Sequence, residues 1–237
     1  MSSTSSLLTA FGAEQAAAYD ARFAKLEPMR DAMHLLTGGI LASLPSDARI
    51  LCVGAGTGAE LLALAAKFPG WHFTAVEPSG PMLDLCRKKA ADAGVIERCE
   101  FHEGFLESLP MGEPFHAATS FLVSQFVLDV DQRRDFFRQI AERLVPGGYL
   151  VSSDLSADLT TEEYRQLFEV WANLFEYAGF MPAQIEGIRG AYGRDVVVSP
   201  PEHIASLIAS AGFDTPVAFY QSVLIRGWFA RRLKPTP

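Results

Sequence analysis

No apolar run in this chain reaches the ~18 residues that a membrane-spanning helix needs. Its first residues, Met1-Ser2-Ser3-Thr4-Ser5-Ser6, lack the basic start and long apolar stretch of a secretory signal. Neither a membrane partner nor export is therefore expected, and the cytoplasm is the expected location. Cysteine is scarce: Cys52, Cys86 and Cys99 are odd in number and fall in neither metal-ligand nor redox spacing. No disulfide framework and no metal site are expected. Positive charge is in deficit as well, with 20 Lys and Arg against 28 Asp and Glu and a net charge of −8. Binding to a nucleic-acid backbone draws most of its affinity from Lys and Arg, so no nucleic-acid partner is expected. The two basic clusters, Arg87-Lys88-Lys89 and Arg231-Arg232-Lys234, read as solvated helix and tail charges. What remains is an ordinary globular composition, 49% hydrophobic and 20% charged. At 237 residues it is long enough for one domain with a sizeable core.

The richest stretch is Ile50-Leu51-Cys52-Val53-Gly54-Ala55-Gly56-Thr57-Gly58-Ala59-Glu60-Leu61, where an apolar strand ends in a glycine turn and a helical pattern starts at once. Glycines let a backbone approach a ligand, and the helix N-terminus offers free N–H groups. Glu77 closes the next strand, His72-Phe73-Thr74-Ala75-Val76-Glu77, where a carboxylate can accept hydrogen bonds from two ribose hydroxyls. Together these describe a nucleoside-binding crevice.

The loop alone leaves two classes open, because Gly54-x-Gly56-x-x-Ala59 with Glu77 also satisfies the dinucleotide fingerprint of a nicotinamide oxidoreductase. Three features favour another class. About fifty residues precede the loop, whereas a nicotinamide-binding fold usually starts almost at its glycine turn. Leu144-Val145-Pro146-Gly147-Gly148-Tyr149-Leu150-Val151 reads as a helix end, a tight turn and a buried strand. Residues 215–231 read as two consecutive strands, a hairpin at the sheet edge. In this order the features resemble the class I, Rossmann-like S-adenosylmethionine-dependent methyltransferases over roughly residues 19–231.

The elements agree with that resemblance. Helices over 14–44 are interrupted at Pro28 and Gly38-Gly39. Strands follow at 49–54, 72–77, 98–103, 115–121 and 148–154, with helices at 58–67, 79–93 (capped by Ser79, stopped by Gly94) and 131–144. From Thr160 to Gly179, apolar residues at helical spacing (Tyr164, Leu167, Phe168, Trp171, Leu174, Phe175, Ala178) form a stripe that reads as a lid, a dimer surface or core. Met181 to Gly193 is glycine-rich and mixed, and Ser199-Pro200-Pro201-Glu202 reads as a capping-box start for a last helix. The expected fold is α/β: a seven-stranded, mostly parallel, doubly wound sheet with a C-terminal antiparallel hairpin and a helical insertion after strand five. A single methyltransferase domain then spans 1–237. Its parts are a helical region (1–47), a cofactor-binding core (48–154), the insertion (155–199), and a last helix with the hairpin (200–231).

The resemblance implies roles residue by residue. Gly54, Ala55, Gly56 and Gly58 would line the methionyl and ribose part of S-adenosylmethionine, and Glu77 would take its ribose hydroxyls. Pro78, Ser79 and Met82 would touch the adenine face, with Gly104, Phe105 and Leu106 at its edge. Many relatives have an acid just after that glycine; here Phe105 stands there, so recognition would fall to backbone N–H groups and stacking. Ser120, Phe121 and Leu122 would lie beside the sulfonium, with Gln125 and Phe126 just beyond. Tyr19-Asp20 resembles a pair that closes over the cofactor, with a simple core aromatic as the alternative for Tyr19.

Methyl transfer from a sulfonium needs mainly alignment and exclusion of water, and a base only for an acceptor of high pKa. The one candidate base is His34, a weak candidate set against a plain packed or exposed helix histidine; the catalytic residue is otherwise left open. The Asp/Asn-Pro-Pro-aromatic run of base and glutamine N-methyltransferases is absent after strand four, as is the Pro-Cys of cytosine C5 chemistry. The expected acceptor is a small molecule, neutral or cationic, walled by Phe121, Phe126, Tyr19 and insertion aromatics. A narrower resemblance, over Phe121 to Phe136, the insertion, and Ala211-Gly212-Phe213 through Tyr220-Gln221, is to carboxy-S-adenosylmethionine synthase. It implies a homodimer that shares the insertion, with Arg189 or Arg194 for the added carboxylate, although that family departs from the three-glycine loop kept here. A non-catalytic S-adenosylmethionine-binding module also stays open.

Overall fold

Strands with apolar residues on both faces need helices on both sides, and alternating strands and helices supply them. In the computed structural model, which describes residues 12–234, two helices, α1 (Ala13–Phe23) and α2 (Glu27–Ile40), lead in. The core then runs β1 (Arg49–Val53), α3 (Ala59–Lys67), β2 (His72–Glu77), α4 (Gly80–Asp92), β3 (Cys99–Glu103), β4 (Phe115–Phe121), α5 (Val130–Arg143) and β5 (Leu144–Leu155). The insertion contributes α6 (Glu162–Ala178) and α7 (Pro182–Ala191). The chain closes with α8 (Pro201–Ser210), β6 (Val217–Ser222) and β7 (Ile225–Arg231). The polar stretch Met1–Ser6 lies outside the described residues.

The sheet order is β3-β2-β1-β4-β5-β7-β6. β1 to β5 are mutually parallel, β7 runs antiparallel to β5, and β6 antiparallel to β7. One face carries Ile50, Cys52, Phe73 and Ala117 against Leu41 just past α2, Leu61 and Leu64 of α3, and Leu83 of α4. The other carries Leu51, Val53, Ala118 and Leu150 against Phe137 and Ile140 of α5 and Ile204 and Ile208 of α8. From β1 the chain winds outward to β3 and then returns to β4. The order therefore reverses between β1 and β4, which is where open α/β sheets hold ligands at their strand ends.

Several expectations are corrected. Pro28 starts α2, and Gly38-Gly39 lie inside it instead of breaking it. Gly38 is accommodated because the Lys67 side chain lies over it, where a Cβ would come within 2.9 Å. Met181 to Gly193 holds a true helix, α7, whose start is fixed by Gln184 Oε1 accepting the Met181 N–H at 2.8 Å. The capping box at Ser199 does not form: α8 is preceded by Pro200 with no side-chain cap, and the Ser199 carbonyl instead accepts the Ser156 hydroxyl. β5 begins at Leu144 and carries the Pro-Gly-Gly segment as an irregularity in its pairing with β4.

The insertion stripe is covered by its own chain. Phe168, Trp171 and Phe175 are buried with Phe180, Ile185, Val198, Leu155 and Leu224 in a third cluster, and Trp171 Nε1 donates to the Tyr192 hydroxyl at 2.9 Å. Leu224, fully buried, holds the hairpin turn in place although Val223 carries a φ of 54°, a region usually left to glycine.

Candidate active site

Three left-handed residues turn the chain out of β1: Gly54 (φ 69°), Gly56 (φ 54°) and Gly58 (φ 84°). A side chain would meet something different at each. At Gly54 a Cβ would stand 2.4 Å from Val123 Cγ2, and at Gly58 2.5 Å from Cys86 Sγ. At Gly56 nothing lies within 4 Å. Packing against the loop after β4 thus dictates Gly54, and packing against α4 dictates Gly58. Gly56 alone keeps its side-chain space open, which narrows the expectation that all three glycines line a ligand. Ala55 is buried in the core and its N–H donates to the Val76 carbonyl, so it shapes the turn from beneath.

Glu77 ends β2 directly beside this loop. Its Oε2 accepts the Gly56 N–H at 3.0 Å and its Oε1 accepts the Ser79 N–H at 2.9 Å. Burial raises its pKa above the ordinary carboxylate range, while the two amide bonds pull the other way. Ser79 caps α4 by accepting the Met82 N–H, as the sequence implies, with Met82 buried and Pro78 half-buried beside it.

After β3, the Gly104 N–H donates to the Glu77 carbonyl at 3.1 Å, which brings this loop to the same rim. Phe105 is exposed there. Leu106 is a correction: its side chain is buried in the α5 core and its carbonyl accepts from Arg143 Nη2, so it faces away from the rim. Ser120 is a second one. Strand alternation turns its hydroxyl to the face of Ala118, where it is fully buried, and leaves Phe121 on the opposite face. There Phe121 stacks on His34 of α2, with ring centroids 5.8 Å apart. Leu122 follows with a φ of 59°, its N–H held by the Ser153 carbonyl at 2.8 Å. Gln125 braces the turn, its side-chain oxygen accepting the Leu155 N–H and its carbonyl the Val197 N–H.

The N-terminal helices cover this rim. Asp20 accepts from Lys89 of α4 at 2.5 Å and from the Thr57 hydroxyl of the glycine loop at 2.9 Å, a clasp that docks α1. Burial pushes the Asp20 pKa up, but the Lys89 and Thr57 bonds outweigh it and hold it below its ordinary value. Tyr19 turns inward, its pKa raised by burial and Asp20, with Arg30, Glu77 and Glu60 also within electrostatic reach. His34 is buried, and burial together with the Arg30 charge lowers its pKa to about 4, so it is neutral at pH 7.

Sequence reasoning missed Arg30 and Glu60. Glu60, in the first turn of α3, reads as an ordinary acid beside a helix dipole, yet it is buried, with a pKa raised to about 8. Among the described residues no group of His, Cys, Asp or Glu is arranged to hold a metal.

The comparisons agree with this geometry. Residues 50–148 match the family described as methyltransferase domain. The chain is 26% identical over 181 residues to the biotin biosynthesis bifunctional protein BioHC of Teredinibacter turnerae, covering 74% of this chain but 29% of that one. It is 22% identical over 204 residues to the carboxy-S-adenosyl-L-methionine synthase of Campylobacter lari, covering 86% of each. The S-adenosylmethionine-dependent methyltransferase structure from Methanosarcina mazei superposes with a TM-score of 0.61 at 19% identity, covering 82% of this chain and 96% of that one. The core of the chain is thus a methyltransferase domain of the Rossmann-like, S-adenosylmethionine-dependent kind. S-adenosylmethionine is its cofactor. The residues fit that group: an open cradle at Gly56 and an acid held beside it at the end of β2.

Proposed function

We propose that this chain transfers a methyl group from S-adenosylmethionine to a small-molecule acceptor. The observation that carries the reading is the joined Gly56–Glu77 rim at the sheet's reversal point, open on the side where a Gly56 side chain would stand. When bound, S-adenosylmethionine would supply a methyl group activated on its sulfonium. Glu77 accepts the ribose hydroxyls, Gly56 admits the cofactor, and Tyr19 on the Asp20–Lys89 clasp excludes water. Gly104 and Phe105 hold the adenine edge, while Phe121 and His34 face the acceptor. A neutral His34 is a weak base, so its part is to accept a hydrogen bond from the acceptor and orient it. The net charge of −8 and the Phe121 ring stacked on a neutral His34 support a small, neutral or cationic acceptor.

The carboxy-S-adenosylmethionine synthase reading is less well supported. Arg194 is exposed and paired with Asp195 at 2.6 Å, and Arg189 lies over the Phe168 ring at 4.2 Å beside Glu186, so each is already engaged. The homodimer loses its main argument, because the insertion stripe is buried within one chain. No helix among the described residues is long and apolar enough to cross a membrane, and a cytoplasmic location rests on the sequence alone.

Mass spectrometry of what copurifies tests the reading. S-adenosylmethionine or its demethylated product is the expected mass; NAD or carboxy-S-adenosylmethionine would replace it with another. Titration with bulk tRNA and duplex DNA across salt tests the acceptor class, and submicromolar binding at physiological salt would overturn the small-molecule reading.

A further inference from the structure

Gln125 stands in the turn that follows β4 and is buried, 5% exposed. The protein occupies three of its four polar groups. Its backbone N–H is held by the Asp154 carboxylate, its carbonyl accepts the Val197 N–H at 2.8 Å, and its Oε1 accepts the Leu155 N–H at 2.9 Å. The fourth, Nε2, meets no acceptor among the described residues. Leu155 offers a donor, so the amide cannot be turned end for end without setting N–H against N–H. Two amide protons left unmatched on so buried a side chain carry a desolvation cost that a partner would remove.

The turn fixes where that partner must stand. β4 pairs with β5 as far as Phe121 and Ser153, and the Leu122 N–H still reaches the Ser153 carbonyl at 2.8 Å. There Leu122 takes its φ of 59° and the chain leaves the sheet. The Gln125 amide then takes up the next β5 donor, the Leu155 N–H, in place of the departed strand. Leu155 is two residues past Ser153, so the amide lies about 7 Å beyond the rung of Phe121, the ring that stacks on His34. This is the strand end beside the reversal point of the sheet. With Oε1 facing β5, Nε2 on the other arm of the planar amide is turned away from β5.

We propose that Gln125 determines acceptor specificity: its Nε2 donates to an oxygen of the methyl acceptor, a carbonyl or hydroxyl oxygen carried beside the atom that is methylated. The inference rests on the proposed transfer to a small molecule and names a group which that molecule must carry. It also gives the buried Asp154–Ser124–Arg133 network a task. Asp154 holds the Gln125 N–H and the Ser124 hydroxyl, and Arg133 Nε donates to that hydroxyl at 2.8 Å. The donor is thereby oriented before the acceptor arrives.

Three one-ring probes of similar size decide it, each titrated into protein saturated with S-adenosylhomocysteine. Acetophenone carries an accepting oxygen, ethylbenzene has none, and benzylamine is a cation that only donates. The side-chain NH2 resonance of Gln125, assigned through its backbone, reports contact, and the ring signals of Phe121 and His34 report the site. Acetophenone should shift the Gln125 resonance and bind about fivefold tighter than ethylbenzene. Gln125→Glu keeps an oxygen for Leu155 and replaces the donor with an acceptor, so benzylamine should gain on acetophenone by about tenfold. The wild-type shift and order of affinities decide the matter even where the variant fails to fold. Probes that move Phe121 and His34 but leave the Gln125 resonance in place, or an order of affinities unchanged in Gln125→Glu, overturn the proposal and leave the acceptor site standing. Probes that move none of the three signals overturn the small-molecule reading together with it.

Discussion

Glu77 Oε2 and the Gly56 amide nitrogen, 21 residues apart in the chain, lie 3.0 Å apart and join the ends of β1 and β2 into one rim. The second oxygen is held by Ser79, so the carboxylate is oriented before any ligand arrives. Glu77→Ala should therefore act twice. Losing charge-assisted bonds to the ribose weakens S-adenosylhomocysteine by about 1.5–3 kcal/mol, and the two freed amides cost about 1–3 kcal/mol of stability. Calorimetry and a urea titration read the two separately, and binding within threefold of wild type would show that Glu77 is structural only.

The glycines separate by the same logic. Gly56→Val meets no neighbour and costs only the strain of a left-handed valine, about 1–2 kcal/mol, so the protein should melt cooperatively yet fail to bind cofactor. Gly54→Val collides with Val123 and should lower the melting temperature far more. Parallel melts of the two variants check this. Normal binding by Gly56→Val would reduce the loop to a turn.

Much of this was legible in the sequence because period and punctuation carry it. The strands announce themselves as short apolar runs, and Gly54, Gly56 and Gly58 with Glu77 mark the sheet's switch point. Less legible was anything set by side-chain direction. Ser120 looks like a site residue until alternation turns it under the sheet, and Leu106 until the α5 core claims it. Glu60 sits in an Ala-Glu-Leu-Leu run that gives no sign of which way its carboxyl points. The α7 helix was hidden by Gly187 and Gly190, which lower helix propensity but meet no obstacle and are carried by the Gln184 start and the burial of Ile185.

Trp171 makes a stability prediction. It is buried among Phe168, Phe175 and Phe180 and hydrogen-bonded to Tyr192. Trp171→Ala should cost about 3–5 kcal/mol, seen as a lower denaturant midpoint. An unchanged midpoint with a shift in light-scattering mass would return the stripe to a subunit interface.

Asp154 and Arg133 form a buried pair at the end of β5, 3.2 Å apart, with the Ser124 hydroxyl donating to Asp154 at 2.8 Å and accepting from Arg133 Nε at 2.8 Å. Burial raises the Asp154 pKa while Arg133 and Ser124 oppose it. Asp154→Ala leaves the guanidinium buried and uncompensated, at about 3–5 kcal/mol. It should also loosen the Ser124–Gln125 turn that precedes the acceptor face. Hydrogen exchange at the Val127 amide, which bonds to the Ser124 carbonyl, should speed up more than exchange at the Val53 amide within β1. Equal effects at the two positions would confine the pair to global stability.

Glu60 gives the free protein a pH dependence of definite sign. Its folded pKa of about 8 lies above the unfolded value of about 4.3, so the folded state holds a proton that the unfolded chain releases. Its contribution is fully present below the unfolded pKa and is lost as pH rises toward 8, by an amount on the order of a few kcal/mol. Glu77 and Asp154 shift the same way and add to the wild-type slope, so the comparison must be with E60Q, which keeps both. Urea titrations at pH 5, 6.5 and 8 should show the variant gaining on the wild type at each step up. A wild-type and E60Q pair whose stabilities fall in parallel from pH 5 to 8 would mean that Glu60 is already ionised in the free protein.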